Sequence, residues 1–118
     1  MERICIIDDD EAVRDSLGLF LEACGYHADR FESALAFLDS KMDGHLCMLV
    51  DVHMPGMSGP ELLTTLRGRG IQTPAIVITA AADARLRATI AKLGHAICLD
   101  KPVDGDALLE AIARLGHA

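Results

Sequence analysis

At 118 residues the chain has the length of one domain, residues 1–118, with no room for a second core, and it can bury roughly two thirds of its unfolded surface. A net charge of −7 argues against direct binding of nucleic acid or an anionic membrane by this chain, because both need clustered Lys and Arg. Apolar residues make up 51% but aromatics only 3%, so the core must come from Leu, Ile, Val, Ala and Met, which suits a parallel sheet covered by helices.

Residues 3 to 7 form a short β-branched run that empties into Asp8-Asp9-Asp10-Glu11, a buried strand leading to an acidic loop. From residue 12 the positions Val13, Leu17, Phe20, Leu21 and Cys24 follow helical spacing, and Gly25 stands where a helix C-cap belongs. Residues 26 to 31 make a weaker second strand, and Ser33 offers an N-cap to a helix carrying Leu35, Phe37 and Leu38. A loop over residues 41–44 leads to the apolar run Leu46 to Val50, which delivers Asp51 just where Pro55, Gly56 and Gly59 force a turn. Ser58 or Gly59 then caps a helix with Pro60 and Glu61 in its first turn, Leu62, Leu63 and Leu66 inward, and Gly68 and Gly70 at its end. Pro74 opens a fourth strand, residues 75 to 78, ending at Thr79 before Ala80-Ala81-Ala82. Asp83 starts a helix with Leu86, Ile90 and Leu93 inward and Gly94 closing it. A fifth strand, residues 96 to 99, stops at Asp100-Lys101-Pro102, and Asp104 caps a last helix carrying Leu108, Ile112 and Leu115.

Strands that alternate with helices in this way predict an α/β fold, a parallel sheet with helices on both faces and right-handed crossovers. In such a sheet ligands bind at the C-terminal ends of the strands. Asp8 and Asp9 follow strand one, Asp51 strand three, Thr79 strand four and Lys101 strand five, so all five converge on that edge. Taken singly, each has an ordinary explanation as a turn former, a strand end or a surface charge. Three carboxylates together repel by about 1 to 4 kcal/mol per pair, so the cluster demands a cation, and an oxygen donor set that leaves room for water suits Mg²⁺. A carboxylate beside Mg²⁺, a lysine and a hydroxyl is a nucleophile suited to a phosphoryl group.

The motifs Ile6-Ile7-Asp8-Asp9-Asp10, Val50 to Gly59, Val77-Ile78-Thr79-Ala80 and Asp100-Lys101-Pro102 resemble those of the receiver domains of two-component response regulators, over nearly the whole chain. The resemblance implies a flavodoxin-like (βα)5 fold with strand order 2-1-3-4-5 and phosphorylation of Asp51 by a sensor histidine kinase or phosphotransfer protein. It further implies Mg²⁺ held by Asp9, Asp51 and the His53 backbone carbonyl, with Asp8 acting mostly through water, Lys101 paired with the phosphoryl group, Thr79 as switch, and a cis Lys101-Pro102 bond. Such a domain promotes its own phosphorylation and dephosphorylation and is not a conventional turnover enzyme. The segments Glu32 to Leu38 and Met57 to Leu63 are most similar to the FixJ-type subgroup, whose members usually carry a LuxR-like helix-turn-helix output domain. No such domain is read in this chain, so it is expected to be a stand-alone receiver or a piece of a longer regulator.

One position departs from the family pattern. Three residues before Lys101 the family usually has Tyr or Phe, and here stands Cys98; a thiol is too small to serve as the aromatic part of the switch, which shifts that burden to Thr79 and the residues after it. Cys98 also favours an alternative, a constitutive interaction module that keeps the fold without signalling by phosphorylation. His53 and Ala81 flank the approach of water to Asp51 and are expected to tune the phosphate lifetime. A Mg²⁺-dependent phosphatase acting on outside substrates fits less well, for want of a substrate pocket or second general acid.

The four cysteines, Cys5, Cys24, Cys47 and Cys98, have no metal-finger spacing and read as small buried hydrophobes. With neither a cleavable leader nor a membrane-spanning stretch in view, a reducing cytoplasm is the expected location. His27, His45, His95 and His117 show no ligand spacing and read as surface or loop residues. Arg85, Arg87 and Lys92 on helix four oppose Asp104, Asp106 and Glu110 around helix five; two solvated faces are favoured over a homodimer through the helix 4, strand 5, helix 5 surface.

Overall fold

The structure, a computed structural model, describes residues 2–116. His117, expected at the surface or in a loop, lies outside them. The chain alternates strictly: β1 (Arg3–Ile7), α1 (Glu11–Ala23), β2 (His27–Phe31), α2 (Ala34–Ser40), β3 (Cys47–Asp51), α3 (Gly59–Gly68), β4 (Ala75–Thr79), α4 (Ala84–Leu93), β5 (Ala96–Asp100) and α5 (Gly105–Gly116). All strand pairs are parallel and the order is β2-β1-β3-β4-β5, the flavodoxin-like arrangement.

The central strands read as continuous apolar runs because both of their faces are covered. Along β1, Ile4 and Ile6 join Leu17 and Leu21 of α1 and Leu108 and Ile112 of α5. Cys5 and Ile7, pointing the other way, join Phe37 of α2, Leu62, Leu63 and Leu66 of α3 and Ile90 of α4. The period of two in a strand thus assigns α1 and α5 to one face and α2, α3 and α4 to the other. Among the described residues no helix is long and apolar enough to cross a membrane.

Most helix ends follow the sequence reading. Asp10, Ser33, Ser58 and Asp83 are the N-caps, and Ser58 with Glu61 completes a reciprocal capping box. Asp104 accepts the Ala107 N–H at 2.9 Å. Gly25, at φ 94°, follows the α1 C-cap Cys24 by one residue, where the left-handed turn favours glycine.

Three expectations are corrected. Cys24 is exposed at the end of α1 and Cys98 is only half-buried, so just Cys5 and Cys47 are fully buried thiols. Burial pushes the Cys47 thiol up to about 12. Leu35 is 55% exposed, because α2 turns Ala34 and Phe37 inward instead. His45 lies in the loop before β3, as expected, with its side chain 3% exposed and bonded to Asp29 at 2.9 Å.

Candidate functional site

The acidic loop is shaped by its own backbone. β1 ends at Ile7, and the Asp8 N–H donates to the Phe31 carbonyl at 3.1 Å, carrying the ladder one residue past the strand. The Asp10 N–H donates to Asp8 Oδ1 at 2.9 Å, while Asp10 Oδ1 accepts the Ala12 and Val13 N–H groups and starts α1. Asp8 is therefore buried, Asp9 exposed, and Asp10 committed to capping. Arg14, one turn into α1, reaches back to the Asp8 carbonyl at 2.8 Å and fixes the loop from behind.

β3 runs through Asp51, which is 6% exposed. The turn that follows is tight: a Cβ on Gly59 would lie 2.5 Å from the Asp51 carbonyl oxygen, so the start of α3 can close on the strand end only without a side chain. His53 lies exposed in this turn, two residues past Asp51. From the far side of the sheet, Lys101 Nζ stands 3.1 Å from Asp51 Oδ1 and 3.9 Å from Asp8 Oδ2. Thr79 is 1% exposed at the end of β4, pairs in register with Asp100, and its Oγ1 accepts the Ala81 N–H at 3.3 Å. The Lys101-Pro102 peptide is cis.

Asp8, Asp9 and Asp51 each place a carboxylate oxygen within 4.8 Å of the others. That separation spans the edge and diagonal of an oxygen octahedron around a small divalent ion, where each bond is about 2.1 Å long. The charges agree: three carboxylates against one lysine leave an excess of negative charge. Burial holds the Asp8 carboxyl above the usual carboxylate range; the Asp10 N–H and Lys101 pull it down, and Asp51 and Asp9 push it further up. Burial works to lower Lys101, but its bond to Asp51 and the charges of Asp51 and Asp8 outweigh this and raise it, so it stays an ammonium. This donor set fits Mg²⁺.

The structure thus brings Asp8, Asp9, Asp51, Thr79 and Lys101 to one rim, as the alternation predicts. Cys98 sits two residue pairs further down the sheet, opposite Val77 and beside Arg87; burial raises its thiol, with Arg87 opposing. Two participants escaped the sequence reading. Arg14 is signalled by its place one turn into a helix that starts from the acidic loop. Asp100 is signalled by standing next to Lys101 and opposite Thr79.

A profile of the response regulator receiver domain matches residues 4–113. The chain belongs to the response regulator receiver family. Among curated relatives, the transcriptional regulatory protein FixJ of Azorhizobium caulinodans is 44% identical over 115 residues, covering 96% of this chain and 54% of that protein. FixJ of Rhizobium meliloti is 39% identical over 110 residues, with coverage of 92% and 54%. This receiver therefore spans about half the length of the curated relatives it matches. The crystal structure of FixJ-N superposes with a TM-score of 0.88 at 34% identity, covering 99% of this chain and 94% of that one. The chemotaxis protein CheY4 of Vibrio cholerae gives 0.88 at 22% identity over 98% of each chain, a likeness of fold alone.

Proposed function

We propose that residues 1–118 act as one phosphoacceptor receiver unit, taking a phosphoryl group onto Asp51 from the phosphohistidine of a sensor histidine kinase or phosphotransfer protein. The observation that carries this is the pairing of Lys101 Nζ with Asp51 at 3.1 Å inside a cluster whose other carboxylates fit Mg²⁺. In the transfer an Asp51 carboxylate oxygen forms a bond to phosphorus as the nitrogen–phosphorus bond breaks. The electron pair returns to the imidazole, which takes up a proton, and Asp51 becomes an acyl phosphate.

Asp8, Asp9, Asp51 and the His53 carbonyl would hold Mg²⁺, which when bound supplies charge neutralisation for the equatorial phosphoryl oxygens. Lys101 moves from Asp51 to a phosphoryl oxygen, and the Thr79 hydroxyl donates to another. Water later attacks the acyl phosphate, with His53 and Ala81 shaping its approach; the unit assists its own phosphorylation and dephosphorylation.

Beside the site, a groove of about 600 Å³ between α1 and the turn after β5, lined by Ala12, Val13, Leu17, Pro102 and Val103 with Lys101 at one end, suits an amphipathic helix of the phosphodonor. A cavity of about 310 Å³ between Phe37, Met48, Leu66 and Ile71 lies at the opposite edge, away from the carboxylates. The FixJ relatives are transcriptional regulators about twice as long, which supports an output domain as the element switched, with DNA contact made there and not by this acidic chain. The cytoplasm, where a kinase and its regulator meet, is the matching location.

The test is intact mass after incubation with a small phosphodonor and Mg²⁺. One phosphoryl group is expected on the wild type and none on Asp51→Asn; an unlabelled wild type, or equal labelling of both, defeats the proposal. Cys98 supports the second reading, a constitutive interaction module. That reading wins if Mg²⁺ and beryllofluoride bind while no amide between residues 79 and 98 shifts. Homodimerisation through α4, β5 and α5 would show as a phosphorylation-dependent mass in light scattering, with Arg85 and Lys92 facing Asp104, Asp106 and Glu110 of a second copy; Arg87 is already engaged by Asp100.

A further inference from the structure

The loop after Thr79 is Ala80-Ala81-Ala82, three residues with no side chain able to anchor it. Two side chains of its neighbours do so instead. The Ala81 N–H donates to Thr79 Oγ1 at 3.3 Å, and the Ala82 N–H donates to Asp100 Oδ1 at 3.3 Å. The other Asp100 oxygen accepts from Arg87 Nη2 at 3.2 Å, and the Arg87 backbone N–H bonds the Asp83 carbonyl in the first turn of α4. One carboxylate at the end of β5 therefore ties together the strand, the loop and the helix.

The same residue is joined to the site from its other side. Asp100 lies opposite Thr79 in the β4–β5 register, and its neighbour Lys101 gives its N–H to the Thr79 carbonyl at 2.8 Å and its ammonium to Asp51 at 3.1 Å. Any travel of Thr79 toward a phosphoryl group on Asp51 draws Ala81 with it, through the N–H that Thr79 accepts. Ala82, the next residue, is tethered to Asp100 and resists.

We propose that Asp100 is a positioning residue, a latch that holds the loop between β4 and α4 in its resting place and sets how readily Thr79 engages a phosphoryl group on Asp51. The inference rests on the phosphoacceptor reading of the site. A carboxylate accepting a backbone N–H is a charge-assisted bond and supplies most of the hold. The Arg87 pair is half-exposed on both sides and counts for little by itself; its part is to orient the carboxylate. Because the bond belongs to the resting arrangement, its removal shifts the equilibrium toward the engaged one and tightens a phosphoryl mimic reciprocally.

The experiment is amide hydrogen exchange and a beryllofluoride titration with Mg²⁺, followed by NMR on the full 118-residue chain, for the wild type, Asp100→Ala, Asp100→Asn and Arg87→Ala. Both side chains are exposed and outside the core, so the variants are expected to fold, and the amide spectrum checks this. In Asp100→Ala the Ala82 amide exchanges faster without ligand, and beryllofluoride binds about three- to tenfold more tightly, the range one net hydrogen bond sets. Asp100→Asn keeps an oxygen for Ala82 and loses the charge for Arg87, so it falls between, alongside Arg87→Ala. Unchanged Ala82 exchange, or unchanged or weaker beryllofluoride binding in Asp100→Ala where the wild type responds, overturns the latch. A wild type that does not respond defeats the phosphoacceptor reading itself, a different failure that takes the latch with it.

Discussion

The two rims of the sheet are built on opposite electrostatic plans. At the N-terminal rim two charged side chains, Arg67 and Asp29, are each met by several partners. Arg67, in the last turn of α3, donates to the carbonyls of Ile71 at 2.9 Å, Thr73 at 2.8 Å, Gly94 at 3.2 Å and His95 at 3.3 Å, closing two loops with one guanidinium. Asp29 is shared by Arg3 at 3.0 Å, His45 at 2.9 Å and His27 at 3.2 Å. At the C-terminal rim Asp8, Asp9 and Asp51 crowd within 4.8 Å with one lysine among them. One end is closed for stability; the other keeps a charge imbalance that only a ligand relieves.

The sharpest way to break this contrast is Arg67→Ala. Four carbonyls lose their donor at once, and an expected loss of about 2–4 kcal/mol should be read from urea unfolding, with Mg²⁺ affinity unchanged. Arg67→Lys should recover less than half, since one ammonium cannot span the fork. At the other rim Gly59→Ala comes next. A helix ordinarily favours Ala over Gly, but here the new Cβ meets the Asp51 carbonyl at 2.5 Å and Val50 Cγ1 at 3.1 Å. A cost of about 1–3 kcal/mol is expected, together with slower labelling of Asp51 by a small phosphodonor. A Gly59→Ala protein of raised stability and normal labelling would show that the tight approach carries no function.

These rims were not equally legible in the sequence. The C-terminal one was readable because its residues sit at strand ends, and a parallel alternation sends every strand end to the same side. The apolar runs, the glycines and the cap residues placed the strands within a residue or so. The N-terminal rim is a matter of side-chain reach, which no periodicity encodes: nothing in the spacing says that Arg67 returns to four carbonyls, or that the side chain of His45, from a loop, is buried against Asp29 of β2. Gly18 shows the same limit. It stands inside a helix, where its sequence position offers no reason for it, yet the Arg30 guanidinium occupies the space a Cβ would take. Cys98 and Cys24 were misplaced because composition treats every cysteine as a small hydrophobe, while β5 is thinly covered and Cys24 falls at a helix end.

A smaller effect of opposite sign tests the imbalance itself. In chelator, Asp8→Asn should stabilise the protein by about 1 kcal/mol, because it removes one of three crowded carboxylates while keeping an oxygen for the Asp10 N–H. Mg²⁺ at a hundred times its dissociation constant should then raise wild-type stability by about 2.7 kcal/mol and the variant's by clearly less. If Asp8→Asn is destabilising without metal, the rim is balanced after all and the contrast between the two ends fails.

The smallest effect is a difference in how the rims respond to acid. Burial works to raise the Asp29 carboxyl, but the bonds from His45 and Arg3 and their charges outweigh it and hold it below the usual range. Near and below the ordinary aspartate value of about 3.9 the unfolded chain therefore takes up a proton that the folded one refuses. Stability from Asp29 is present above that value and drains away as pH falls through the folded one. Asp8 is raised, chiefly by burial, so between about 3.9 and its folded value the native state is the one that binds the proton, and metal-free stability rises as pH falls. Urea midpoints in chelator, followed from neutral pH downward, should show a gain absent in Asp8→Asn and, at lower pH, a loss reduced in Asp29→Asn. Parallel curves for the wild type and both variants would mean that neither carboxylate differs between the folded and unfolded chains, and the two rims would then be electrostatically alike.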